Sequence, residues 1–95
     1  MVRYLTLIQL TDQGIVSIND SASRAAAFAT DVEKAGGSVL GQYWAVGQCD
    51  GAVLFEAPDE SIAASLLLKL AREGFVRTQS QQLFNAEEFQ AVLAK

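Results

Sequence analysis

The sequence predicts an α+β domain in which two β-α-β halves share one antiparallel sheet, and three observations point to it. Strand-like and helix-like runs follow one another in the order β-α-β-β-α-β, with a short helical tail. The two middle strands are separated by a glycine-bearing tip, Val46-Gly47-Gln48-Cys49-Asp50-Gly51, which reads as a hairpin. Helix-stopping glycines stand at Gly36-Gly37 and Gly74, where each helix must turn back toward the sheet.

Residues 2–10 are rich in β-branched, aromatic and aliphatic side chains and form the first strand. Thr11-Asp12-Gln13-Gly14 ends it with turn chemistry. From 20 to 35 the apolar residues fall at 22, 25, 28, 29, 32 and 35, a helical stripe that Asn19 or Asp20 can cap. Residues 38–46 are the second strand and 52–57 the third. Pro58 and Asp59 open a second helix, with Asp59 as N-cap and Ile62, Ala63, Leu66, Leu67 and Leu70 on its buried face. Residues 75–84 make the fourth strand, and Phe89, Val92 and Leu93 are spaced helically in the tail.

This order is the split βαβ, or ferredoxin-like, arrangement. Right-handed crossovers set the antiparallel strand order 4-1-3-2 with both helices on one face. The 95 residues are expected to form one domain over 1–95, large enough to bury roughly two thirds of the unfolded surface. No linker or low-complexity segment interrupts it. The opening residues read as a strand rather than a leader, and no apolar run approaches a membrane span.

Composition removes several function classes. The 7 basic and 11 acidic residues leave a net charge of −4, which opposes a phosphate-binding footprint and docking on anionic lipid, so neither nucleic acid nor membrane is an expected partner. There is no histidine, which deprives Cys/His zinc sites, histidine-ligated haem and Ser-His or Cys-His nucleophile pairs of a member. One cysteine cannot form an internal disulfide, in keeping with a reducing, cytoplasmic setting. No glycine-rich loop runs into a helix, so no nucleotide or other cofactor motif is present, and Asp59-Glu60 and Glu87-Glu88 read as helix-start acids rather than metal ligands. An RNA-recognition role fails as well: the third strand, Asp50-Gly51-Ala52-Val53-Leu54-Phe55-Glu56, is acidic at both ends and carries one aromatic.

Period-two patterning places Leu5, Leu7, Val53 and Phe55 under the helices. Tyr4, Thr6, Ile8, Trp44, Leu54, Arg77 and Gln79 then fall on the open face, half of them apolar. A surface of that kind is most economically covered by a second sheet, so a homodimer with facing sheets is expected.

Several segments together resemble the GYD-domain family of small bacterial and archaeal proteins: Thr11-Asp12-Gln13-Gly14, Asp20-Ser21-Ala22-Ser23-Arg24, Gly36-Gly37, Val46-Gly47-Gln48-Cys49-Asp50, Glu56-Ala57-Pro58-Asp59 and Gly74-Phe75-Val76-Arg77-Thr78. The resemblance spans nearly the whole chain. It implies a ferredoxin-like subunit that pairs into a dimeric α/β barrel, with no established activity. Cys49 stands where that family has a tyrosine.

The topology brings the end of strand one, the start of helix one, the hairpin and the start of strand four to one end of the domain. Asp12, Arg24, Asp50 and Arg77 are therefore expected near one another, either as a small anion-holding site or as Asp–Arg pairs tying loops to the frame. Tyr4, Tyr43 and Trp44 either line a ligand cavity or pack a dimer interface. Cys49 is a nucleophile only if a neighbour activates it, and otherwise a small hydrophobe. Tyr4, Asp12, Arg24, Trp44, Asp50 and Arg77 are the candidate ligand-binding residues, with no catalytic residue and no metal ligand assigned. The leading expectation is a homodimeric module that binds a small organic molecule. The rivals are a cofactor-free isomerase or monooxygenase acting on a small organic acid or aromatic, with Asp12, Asp50 or Glu56 as base, and a purely structural oligomerisation module.

Overall fold

The protein is described by a computed structural model covering all 95 residues. Strands β1 (Val2–Leu10), β2 (Ser38–Trp44), β3 (Gly51–Ala57) and β4 (Val76–Gln82) form one antiparallel sheet in the order β2-β3-β1-β4. This is the predicted 4-1-3-2 order read from the other edge. Helices α2 (Ser21–Lys34) and α3 (Glu60–Arg72) cross over on one face, as a ferredoxin-like fold requires.

The local signals act through definite atoms. Asp59 accepts the Ile62 N–H at 2.8 Å and so caps α3, as predicted. At α2 the cap is different: Asp20 makes no side-chain bond, because a 3₁₀ turn at Ile18–Asp20 already feeds the chain into the helix. Gly36 takes φ +91° to leave α2, a conformation that costs a side-chain-bearing residue and suits glycine.

Thr11–Gly14 is not a bare turn but the start of a short helix, α1 (Asp12–Val16). Thr11 Oγ accepts the Gly14 N–H at 3.1 Å and donates to the Gly74 carbonyl at 2.6 Å. Residues that favour turns favour N-caps for the same hydrogen-bonding reason, so sequence alone does not separate the two. Gly14 lies so close to the Phe75 carbonyl that a Cβ would overlap it. This approach pins α1 to the start of β4.

The core lies between the sheet and the two long helices. Phe28 and Val32 of α2, Ala63 and Leu66 of α3, and Val53, Phe55 and Ala57 of β3 are buried there. Phe55 meets Phe28 edge-on at 5.5 Å between ring centres and Tyr4 in a stack at 5.9 Å.

The register corrects the predicted faces of two strands. Tyr4, Thr6 and Ile8 stand opposite Phe55, Val53 and Gly51, so they share the helix-covered face, and Leu5 and Leu7 point to the open one. β1 is apolar on both faces, which leaves its alternation without a direction; Thr6, polar and fully buried, is satisfied by the Ser80 hydroxyl at 2.7 Å. Trp44 is also on the helix side. Val39 faces the core, but a β-bulge between Val39 and Gly41 inserts Leu40, and the extra residue reverses every side chain beyond it. Arg77 and Gln79 lie on the open face as predicted, beside Leu5, Leu7 and Leu54.

The tail forms helix α4 (Ala86–Leu93), started by a capping box in which Asn85 and Glu88 satisfy each other's backbone N–H groups. Glu88 also accepts from Arg3 Nη1 at 2.9 Å, while Arg3 Nη2 reaches Glu56 at 3.1 Å. α4 buries none of its own residues. No helix is long and apolar enough to cross a membrane.

Candidate functional site

A cavity of about 80 Å³ opens between α2 and the sheet, at the end where β1 finishes and the β2–β3 hairpin turns. Its floor is the helix-side face of the sheet: Ile8 and Leu10 from β1, Gln42 and Trp44 from β2, Gly51 and Val53 from β3, Val76 from β4. Ser21, Arg24, Ala25 and Phe28 of α2 form its roof, and Leu70, Glu73 and Phe75 close its side. Gly51 stands directly opposite Trp44 and adds no side chain to the floor.

Three polar side chains are locked in place around this apolar space. The Trp44 indole N–H donates to Ser21 Oγ at 3.2 Å, and the Gln42 amide donates to the Ala25 carbonyl at 2.9 Å; together they stitch β2 to α2. The Arg24 guanidinium lies 4.3 Å above the Phe75 ring, a cation–π contact. Its Nη1 donates to the Ser17 carbonyl at 3.2 Å and to Ser17 Oγ at 3.3 Å. Its Nη2 is shielded from solvent and meets no acceptor in the protein.

Asp50 acts as a bracket at the mouth. Its carboxylate accepts the Leu10 N–H at 2.8 Å, its own N–H donates to Ile8, and its carbonyl accepts from Ala45. One residue thus fastens the hairpin to the end of β1. Cys49, its neighbour, is free and half-buried.

Of the six candidate ligand-binding residues, the structure gathers Arg24, Trp44 and Asp50 around one cavity. Tyr4 lies elsewhere in the core, stacked on Phe55. Asp12 is exposed in the first turn of α1, and Arg77 is exposed on the opposite face of the sheet. None of these acids and arginines pairs with another: the ion pairs are Arg3–Glu56, Arg3–Glu88 and Lys69–Asp31. No group of three or more His, Cys, Asp or Glu side chains is placed to hold a metal. Sequence reasoning misses Gln42 and Phe75. The bulge hides Gln42, whereas Phe75 carries a signal, an aromatic directly after the helix-ending Gly74.

A family model described as GYD domain matches residues 4–93. The chain belongs to the GYD-domain family. Among solved structures, this GYD-domain protein is similar to TTHA0845 from Thermus thermophilus, with 20% identity, a TM-score of 0.55, and 90% of this chain and 96% of that one covered. At that identity the likeness is one of fold. No curated protein matches the chain significantly. In the β2–β3 hairpin Asp50 has a visible structural task, and Cys49 has no side-chain hydrogen bond.

Proposed function

We propose that this GYD-domain protein is a homodimeric module that holds a small organic molecule in the cavity beneath α2. The cavity itself carries the reading: an apolar space with a few fixed polar groups converging on it is the ordinary form of a small-molecule site. Strand alternation by itself puts the ligand on the open face of the sheet; the positions of Trp44 and Arg24 support the helix side instead.

The open face is left for a partner. Leu5, Leu7, Ala52 and Leu54 run across its centre, α4 reaches one end of it through the Arg3–Glu88 pair, and Tyr43 stands 69% exposed at its edge. Phe89 and Leu93 of α4 are exposed as well. A second sheet laid on this surface removes a contiguous apolar patch from water and gives the dimeric barrel that the resemblance implies. The whole chain acts as one domain in this reading, in a reducing, cytoplasmic setting that suits a lone free cysteine.

Of the bases named for the rival enzymatic reading, Asp12, Asp50 and Glu56, Asp50 borders the cavity, and its carboxylate is already engaged by the Leu10 N–H. Native mass spectrometry of the purified protein tests the proposal. The expected spectrum is a dimer with a small adduct that is lost on denaturation. A monomer without an adduct, from protein freshly purified and never denatured, overturns it.

A further inference from the structure

We infer that the cavity selects a small monocarboxylate and that Arg24 is the residue that recognises it. The inference rests on the cavity reading above and names the ligand class.

Arg24 is the cationic side chain of the cavity, and it takes part in none of the protein's ion pairs. Its guanidinium is fixed from two sides, by Phe75 beneath the plane and Ser17 at Nη1. Neither contact uses Nη2, which is buried and meets no acceptor in the protein. Leaving a charged donor dry and unpaired is costly, and a carboxylate is the acceptor that matches a guanidinium in charge and geometry. The fold therefore holds an arginine ready for an anion that the protein does not supply.

The rest of the cavity restricts the anion. Ile8, Phe28, Val53 and Leu70 demand an apolar body. A space of about 80 Å³ is roughly half the ~150 Å³ apolar cavity that accepts benzene, so the apolar body has about three carbons, with the carboxylate at Arg24. Asp50 and Glu73 border the same space, and their charges oppose a second carboxylate on the ligand. A short-chain monocarboxylate satisfies all of these conditions; its neutral amide offers Arg24 one acceptor oxygen and no charge, and a dicarboxylate meets the acids.

Trp44 is the only tryptophan and borders the cavity, so its fluorescence reports occupancy directly. The full chain is titrated at constant ionic strength with butyrate, butyramide and succinate, with thermal shift as a second readout. Saturable butyrate binding is expected, with butyramide and succinate at least ten-fold weaker. Arg24→Met, which keeps an unbranched stem over Phe75, is expected to bind butyrate at least ten-fold more weakly and to treat butyrate and butyramide alike. Equal binding of butyrate and butyramide by the natural protein overturns the carboxylate assignment while the cavity reading stands, whether or not the variant folds. Unchanged butyrate affinity in a folded Arg24→Met protein removes Arg24 from the role. No response to any of the three at concentrations up to about 50 mM overturns the cavity reading itself.

Discussion

Replacing Leu54 by glutamate should dissolve the proposed facing-sheet dimer while sparing the subunit. Leu54 lies at the centre of the open face, opposite Leu5 on β1 and Gly41 on β2, and is half-buried in the single chain. At most about a third of its surface is left to bury, worth about 0.5–1 kcal/mol of the full transfer value. In a twofold interface the substitution occurs on both subunits, so about 1–2 kcal/mol is lost at once. Each new carboxylate must also be dehydrated or protonated, which adds a further penalty of several kcal/mol if it stays dry. A total above about 4 kcal/mol raises the dimer Kd roughly a thousand-fold. The subunit loses far less, because in the monomer the glutamate stays in contact with water. Sedimentation velocity between about 1 and 100 µM, paired with circular-dichroism melts, reads both quantities. A natural protein that is monomeric across that range, or a Leu54→Glu variant that dimerises as well as its parent, refutes the facing-sheet arrangement.

Four other outcomes are expected. Asp50→Ala removes the acceptor of the Leu10 N–H and should cost about 1.5 kcal/mol, a fall in Tm of roughly 6–12 °C, with Asp50→Asn milder because it keeps an amide oxygen; an unchanged melt for Asp50→Ala would show the bracket to be idle. Gly14→Ala drives a methyl into the Phe75 carbonyl and should destabilise by about 1–3 kcal/mol, whereas Gly47→Ala, with nothing within 4 Å, should stay within about 0.5 kcal/mol. The Asn85 backbone N–H, and then Arg3, hold the Glu88 carboxyl below its ordinary value. Its contribution is therefore complete above the ordinary glutamate range and is lost as pH falls through the lowered value; amide protection factors in α4, corrected for the intrinsic pH dependence of exchange, should fall on that acid limb, and Glu88→Gln should remove this fall. Cys49→Ser should change neither stability beyond about 0.5 kcal/mol nor butyrate binding, which fluorescence titration and melting check together.

Much of the fold was legible because its signals are local. Gly36 and Gly74 end helices by positive φ, Asp59 caps α3 through its own side chain, and the spacing of Ile62, Ala63, Leu66, Leu67 and Leu70 marks a helix face directly. The site was legible only in part. Arg24, Trp44 and Asp50 stood out as residue types that bind or bracket, and they do share a cavity. Tyr4 and Arg77 carried the same kind of signal, yet packing placed one in the core and the other across the sheet.

By itself the sequence determined the order of the four strands, the two long helices and the tail helix, the strand order that right-handed crossovers impose, and the absence of histidine from the chain. Each of these depends on what a residue is, or on its neighbours within one helical turn or one strand. The tertiary structure alone decided which way β1 faces and that Trp44 stands on the helix side of the sheet, its indole N–H on Ser21. β1 is apolar on both sides, so only its pairing with β3 orients it, and the bulge at Leu40 is set by how β2 meets β3. The unpaired nitrogen of Arg24 is likewise invisible in sequence, because satisfaction of a donor is a property of everything packed around it.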